Sequence, residues 1–405
     1  MKPIVRAGRM KPVHSDIRGP LFVEAMKRQK QGIDILKLNT GNPATFGFGL
    51  PDSIKNALIE HMQDGVGYCD FKGMPQARQA ICDYETSKGI KGITSDDVFI
   101  GNGVSEVVSF ALTPLLNDGD EVLVPSPSYS LWGNSIYLEG GKPVFYTCDE
   151  KANWYPDIKD IRSKITDKTK AIVIINPNNP TGVLYPKELL LEIIQIARES
   201  GLLIFADEIY DRLVMDGKQH ISLASLTEDV PVITLNGLSK SHCLCGYRCG
   251  WMVISGPREL TEDYRQGIIQ LTSLRLCANT MAQIVIPAAL DDMETPASMV
   301  RPGGRIYEQR EATVRELEKI DGLSFIKNDA AFYVFPKLDV KKFNITNDKQ
   351  FAHDLLDATN ILLVPGSGFD WKDPDHFRIV MLPQADILSD AIRRMGTFLD
   401  GYKQK

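Results

Sequence analysis

The sequence predicts an α/β protein, in which a large domain with a mostly parallel, seven-stranded sheet sandwiched by helices is joined to a smaller α+β domain. Three observations predict this. The 405 residues exceed what one compact core accommodates. Seven strand-sized runs recur, at Val98–Ile100, Glu121–Val124, Pro143–Thr147, Ala171–Ile175, Leu202–Ala206, Val232–Leu235 and Gly250–Ile254, and several are apolar throughout, as strands buried on both faces of a parallel sheet require. Helical patterns separate them, which is the signature of a sheet wrapped by helices.

Taken in order, residues 1–19 read as a polar arm without periodicity, and Pro20 opens a helix running to about Lys30, since proline suits a first helical turn. Ile35–Thr40 is a short strand that ends in a Gly41-Asn42-Pro43 turn. Val104, Val107, Val108, Ala111, Leu112 and Leu115 recur at helical spacing and predict a helix over Ser105–Leu116; a second is predicted over Pro186–Ser200. The stretch Leu290–Gly304 changes character, with Asp291-Asp292, Pro296, Pro302 and Gly303-Gly304, and a charged helix follows over Arg305–Lys319. These shifts divide the chain into an N-terminal arm and segment joining the small domain (1–43), a large domain (44–295) and the C-terminal part of the small domain (296–405).

Composition narrows the function. Lys and Arg number 46 against 52 Asp and Glu, a net charge of −6 with no basic tail, which argues against nucleic acid as a partner. No apolar run approaches membrane-spanning length, and the N-terminus has positive charge but no apolar core of a secretory signal. Seven cysteines form no paired framework, so the expected compartment is the reducing cytoplasm.

Four motifs fall at predicted strand ends, where α/β sheets bind ligands. Gly101-Asn102-Gly103-Val104-Ser105-Glu106 follows a strand and opens a helix, so it is either an ordinary turn or a phosphate cradle made of free N–H groups and a hydroxyl. Asn176-Pro177-Asn178-Asn179-Pro180-Thr181-Gly182 is a turn by composition, but it also fixes three amides rigidly in space. Asp207, ending the run before Glu208-Ile209-Tyr210, is either a helix N-cap or a carboxylate at the ligand crevice. Lys240 follows the run Pro231–Leu235 and precedes Arg248 and Gly250-Trp251; lysine there is costly unless chemistry uses it. In isolation each motif has an innocuous explanation, and their order along one sheet makes them a site. Cys243, Cys245 and Cys249 lack zinc-site spacing and a fourth ligand, and lysine and arginine lie among them, so no metal is expected.

The set resembles the aspartate-aminotransferase family (class I/II) of fold type I pyridoxal-phosphate enzymes. Ser239-Lys240 with Gly246, Arg248 and Gly250-Trp251 is similar to that family's lysine signature, Asn179-Pro180-Thr181-Gly182 to its asparagine loop, and Asp207-Glu208-Ile209-Tyr210 to its acidic stretch. The likeness runs from about Leu38 to the C-terminus, and within the family towards bacterial glutamate–pyruvate (alanine) aminotransferases. It implies a cofactor, pyridoxal 5'-phosphate, joined to Lys240 as a Schiff base, with the same lysine later moving a proton; burial and cations such as Arg248 are expected to lower its pKa. Asp207 would pair with the ring nitrogen, and Asn179 and Tyr210 would bond the phenolic oxygen. Tyr129 would stack on the ring, and Val104, Ser105, Ser239 and Arg248 would hold the phosphate. Tyr68 would reach the neighbouring subunit's phosphate, implying a homodimer with shared active sites. Arg378 would clamp the substrate carboxylate bidentately beside Gly41.

The resemblance further implies reversible amino transfer between L-alanine and 2-oxoglutarate in cytoplasmic amino-acid metabolism, including alanine biosynthesis. Arg18 is either the reader of glutamate's distal carboxylate or a surface arginine on the arm. Competing activities are transamination of another amino acid (aspartate, aromatic or branched-chain) and a β-lyase that shares the lysine. A non-enzymatic pyridoxal-phosphate regulator would need a DNA-binding domain, for which about 19 residues before the first helix leave no room.

Overall fold

The computed structural model describes residues 3–405, so residues 1 and 2 of the arm predicted over 1–43 lie outside the described residues. Nine strands carry labels here: β1 (Leu36–Lys37), β2 (Val98–Asn102), β3 (Glu121–Ser126), β4 (Lys142–Asp149), β5 (Tyr155–Pro156), β6 (Thr169–Ile175), β7 (Leu203–Asp207), β8 (Val232–Gly237) and β9 (Cys249–Ser255). All but β1 form one sheet in the order β2-β9-β8-β7-β6-β3-β4-β5. The seven predicted strands are all present, and the two residues of β5 make an eighth. Burial of every residue of β3, β8 and β9 explains why these stretches lack polar alternation.

The central pairs β8·β7, β7·β6, β6·β3 and β3·β4 are parallel, whereas β9 runs antiparallel to both β8 and β2, and β5 to β4. The segment 238–248 holds only short helical turns (Leu238–Ser241 and Cys245–Tyr247), too little for a crossover to the sheet's other end, so the chain turns straight back as β9. That reversal sets Cys249 opposite Asn102 and Gly250 opposite both Gly101 and Gly237. The ends of β2 and β8 and the start of β9 therefore meet at one edge. The helix predicted to reach Leu116 ends at Leu112. Thr113 keeps helical angles and still donates to Ser109, but Pro114 has no N–H to offer the Phe110 carbonyl, and the hydrogen-bond ladder breaks there.

Helices cover both faces. Val104–Leu112, Leu131–Leu138 and Arg258–Arg275 pack on one side around Phe99, Val108, Trp132, Phe205 and Ile268; Ile158–Lys164 and Lys187–Ser200 pack on the other around Ile172, Ile193 and Ile204. A separate core gathers Leu38, Val334, Phe351, Ile361, Phe377, Ile379 and Met395. Into it the N-terminal segment returns, with β1 pairing in parallel with Ile361–Leu362. Among the described residues no single helix is long and apolar enough to cross a membrane.

The arm before the first helix is fastened by polar contacts and by Ile17, which packs against the core of the large sheet. His14 N–H donates to Asn134 Oδ1 at 3.1 Å, Asn134 Nδ2 donates back to the His14 carbonyl at 2.6 Å, and the imidazole lies 3.6 Å from Asp16 and 3.1 Å from Asp370. Hydrogen bonds to Asp16 and Asp370 raise the His14 pKa to about 9. A raised histidine stabilises the fold fully below its unfolded pKa of about 6.5 and stops doing so as pH rises through 9. The side chain is 38% exposed, so solvent screening limits the effect to about 1 kcal/mol or less. The thermal midpoint should decline between pH 6.5 and 9 by more in the wild type than in His14→Gln; parallel curves would remove the histidine from this role.

Candidate active site

Three neighbouring parallel strands deliver the chemistry at their C-terminal ends: β6 leads to Asn179, β7 ends at Asp207, and β8 leads to Lys240. Contacts tie them to Arg378, from the strand Phe377–Val380 of the second core: Arg378 donates to Asn179 and acts electrostatically on Lys240, as Asp207 does on Tyr210.

Asp207 is buried, and no helix follows it, so it is not an N-cap. Its carboxylate accepts from the indole N–H of Trp132 at 3.0 Å and from the Ile209 amide at 3.4 Å. Both donors are neutral. Burial pushes its pKa up to about 6, with the two hydrogen bonds lowering it and Glu208 raising it. A buried carboxylate with no cationic partner suits a ligand that carries a protonated ring nitrogen.

Lys240 is half-buried and donates to the Gly41 carbonyl at 2.9 Å, with its ammonium 5.7 Å from the centre of the Phe332 ring. Burial lowers its pKa, but Tyr333, Cys245 and Tyr129 outweigh burial and the net direction is upward. This corrects the sequence-based expectation of a lowered value. The arginine that acts on Lys240 in the downward direction is Arg378. Arg248 instead donates to the Cys245 carbonyl at 3.0 Å and flanks the cradle below.

That cradle is built by the turn Gly101–Ser105. The helix Val104–Leu112 starts immediately after Gly103, whose φ of 84° is the left-handed backbone glycine tolerates. The N–H groups of Val104 and Ser105 lie in its first turn, where helices leave amides free. A Cβ on Gly103 would sit 2.4 Å from the Arg248 guanidinium, and one on Gly250 would sit 2.4 Å from the Val104 nitrogen. The missing side chains let a guanidinium and the strand β9 close on the helix N-terminus, an arrangement that holds an anion such as phosphate. Ser239 lies half-buried on the short helix that carries Lys240.

The three asparagines of the loop divide the work. Asn176 Oδ1 accepts from the Tyr185 amide at 2.9 Å, and Asn178 Oδ1 from the Thr181 hydroxyl at 3.1 Å, so both hold the loop itself. Asn179 Oδ1 is left to accept from Arg378 Nη1 at 2.9 Å. Arg378 is 1% exposed, its Nη2 donates to the Asn39 carbonyl, and its Nε is buried without a hydrogen-bond partner among the described residues. The rings of Tyr333 and Phe369 lie 4.5 and 4.6 Å from the guanidinium carbon. Such a cation is poised for a carboxylate. Gly41 passes close by, where a Cβ would fall 2.3 Å from the Tyr333 hydroxyl.

Tyr210 is buried, and its hydroxyl pairs with that of Tyr333 at 2.8 Å. Tyr129 is half-buried and acts electrostatically on both Lys240 and Arg378. Two predicted residues stay outside the cluster. Tyr68 is 84% exposed, and Arg18 is exposed on the arm, while its neighbour Ile17 accepts from Asn39 Nδ2 at 2.8 Å. Trp132, Tyr333 and Asn39 belong to the site and were not predicted. A tyrosine inside the apolar run Ala330–Phe335 was the available signal, since a buried hydroxyl needs a partner.

Cys243, Cys245 and Cys249 have ordinary surroundings. Cys245 Sγ donates to the Ser239 carbonyl at 2.9 Å, Cys243 Sγ meets Met299 Sδ at 3.9 Å with burial pushing its thiol up to about 12, and Cys249 is buried in β9.

The family model for aminotransferase class I and II matches residues 33–392. The glutamate-pyruvate aminotransferase AlaA of Haemophilus influenzae is 50% identical over 100% of both chains. The alanine aminotransferase of Mycobacterium tuberculosis is 45% identical over 100% of this chain and 94% of its own length. Among solved structures, an Escherichia coli aminotransferase is similar with a TM-score of 0.98 and 47% identity over 100% of both chains. Alanine aminotransferase from Pyrococcus furiosus has a TM-score of 0.93 and 40% identity, covering 98% of this chain and 100% of its own.

Proposed function

The chain belongs to the class I and II aminotransferases, and from that membership we propose that it transfers an amino group reversibly between L-alanine and 2-oxoglutarate, giving pyruvate and L-glutamate, with pyridoxal 5'-phosphate as cofactor. Full-length relatives 45–50% identical, named as glutamate-pyruvate and alanine aminotransferases, support the choice of amino acid. The observation that supports the reaction type is the placing of an uncompensated Asp207 and of Lys240 at the ends of the adjacent strands β7 and β8, with an underbonded Arg378 acting on Lys240.

Each residue has a task there. The Val104 and Ser105 amides, the Ser105 and Ser239 hydroxyls and Arg248 would hold the cofactor phosphate, with Tyr129, Asn179 and Tyr210 available to its ring and phenolic oxygen. Asp207, a buried carboxylate bonded only by neutral donors, would favour a protonated ring nitrogen. When bound, the cofactor supplies an electron sink for the pair left behind at the substrate Cα. Lys240 would hold the cofactor through its amine, and with that amine free it would act as the base for the proton on the substrate Cα. Arg378 holds the α-carboxylate so that the Cα hydrogen faces Lys240. Arg18 is carried forward only as a candidate for the distal carboxylate of glutamate.

We place the enzyme in the cytoplasm as a homodimer, and read it as a large domain (44–295) and a small one formed by 1–43 and 296–405. Tyr68, exposed in the single chain, is assigned to the partner's phosphate. Mixing inactive Tyr68→Ala and Lys240→Ala proteins should then restore about a quarter of the activity per site by statistical pairing, since one hybrid site keeps both residues; no recovery would show that sites are not shared. The assay that tests the substrate assignment is pyruvate formation from alanine and 2-oxoglutarate. Its absence, with turnover of aspartate or an aromatic amino acid instead, would redirect the assignment, and release of ammonia would favour the β-lyase.

A further inference from the structure

Glu208, Asp211 and His220 bring their ligand atoms within 4.8 Å of one another, a grouping that would ordinarily suggest a metal. The cation there is an internal one. Lys88, at the C-terminal end of the helix Pro75–Ser87, places its ammonium 2.6 Å from Glu85, 2.8 Å from Glu208 and 3.3 Å from Asp211, with its side chain 12% exposed. The remaining bonds of these carboxylates are filled from several directions. Glu208 accepts from the Ser222 hydroxyl at 2.8 Å and the Leu223 amide at 3.1 Å, Asp211 from Asn236 Nδ2 at 2.7 Å and from the Tyr84 hydroxyl, and Glu85 from the Trp251 indole at 3.2 Å. Arg212 lies over the Tyr84 ring at 4.3 Å, and His220 Nε2 stands 4.0 Å from Glu208.

The cluster reaches all three strand ends that build the site. Glu208 and Asp211 each directly follow a site residue, Asp207 and Tyr210. Asp207 turns to Trp132, and Glu208 turns the other way, to Lys88. Asn236 stands four residues before Lys240, and its side-chain Oδ1 accepts from the Gly237 amide at 2.7 Å. His220 meets the Asn176 carbonyl at 3.1 Å, at the root of the Asn179 loop. One ammonium thus ties β6, β7 and β8 together from behind. A buried ammonium is retained at such a place only where carboxylates compensate it, and its loss leaves those carboxylates unmatched. Burial already pushes Glu85 up to about 7, against the pull of Lys88 and with Glu208 and Asp211 adding to the rise.

We propose that Lys88 is a positioning residue for the active site: by holding Glu208 and Asp211 on the side away from the cofactor, it sets the poses of Asp207 and Tyr210. The proposal rests on the pyridoxal-phosphate reading above. The test uses the full chain purified with pyridoxal phosphate and compares Glu208→Gln, which keeps the shape and an acceptor for Ser222 and Leu223, with Lys88→Met and with the surface control Lys91→Ala. Each is followed by the pH midpoint of the bound cofactor's visible band, by kcat and KM separately, and by thermal melting.

A misplaced Asp207 and Tyr210 should move the midpoint in Glu208→Gln by about one pH unit, with kcat reduced about 10- to 100-fold and KM for alanine little changed, because Arg378 keeps its own partners. Lys88→Met should do the same or more, and Lys91→Ala nothing; if Lys88→Met does not fold, Glu208→Gln decides alone. A folded Glu208→Gln with the wild-type midpoint and kcat would overturn the proposal. So would variants whose only change is the melting temperature. A wild-type protein with no visible band would overturn the cofactor reading itself, and this proposal with it.

Discussion

Changing Lys240 to alanine is expected to abolish turnover and the visible absorption of bound pyridoxal phosphate together. Proton transfer by a placed base contributes about 10²–10⁴-fold, and this lysine is assigned both that step and the attachment of the cofactor, so the loss should be at least about 10⁴-fold. The surroundings of Lys240 explain why no other group takes over. Its ammonium donates to Gly41 and faces Phe332, and the thiol of Cys245 is engaged with the Ser239 carbonyl. Folding should be unaffected, because the lysine contributes one hydrogen bond and little core. The check is a spectrum and a rate on dialysed protein. A variant that keeps the band after dialysis would show that another residue holds the cofactor.

Arg378→Lys should raise KM for alanine and for glutamate by about 10- to 100-fold, the cost of losing one charged hydrogen bond of about 1.5–3 kcal/mol. Lysine retains the charge but not the planar fork. In the wild type the fork is already oriented: Nη1 on Asn179, Nη2 on Asn39, and the plane between Tyr333 and Phe369. An ammonium cannot satisfy both acceptors and a carboxylate in that geometry. Steady-state kinetics with both substrates, alongside circular dichroism to confirm folding, measure the effect. An unchanged KM would take Arg378 out of the carboxylate clamp.

Much of this was legible in the sequence because it depends on local pattern. Apolar runs marked the strands of the large sheet, and the motifs at their ends marked Asp207, Asn179 and Lys240, which the fold brings together through neighbouring parallel strands. Strand direction was less accessible. Nothing in the run Gly250–Ile254 distinguishes a parallel from an antiparallel strand; the brevity of 238–248 decides it, and with it the meeting of Arg248 and Gly103.

What stayed hidden depends on distant pairs. Trp132 reads as a core aromatic until Asp207 is placed beside it, and Tyr333 reads as part of an apolar strand until its hydroxyl meets Tyr210. The pKa of Lys240 was misjudged for the same reason. Its direction is set by burial against Tyr333, Cys245 and Tyr129, two of them far away in the chain, whereas Arg248, near in sequence, turns to Cys245 and Gly103. Lys88 is the extreme case: an unremarked lysine at the end of a helix that proves to be the shared counterion of carboxylates more than a hundred residues away.

The central claim is that Lys240 carries the cofactor, and it can be tested without any assumption about substrate. Protein loaded with pyridoxal phosphate is reduced with borohydride, digested, and mapped by mass spectrometry. A cofactor mass is expected on the peptide containing Lys240 and on no other lysine. A label on a different lysine, or none on a protein that shows the visible band, would contradict it.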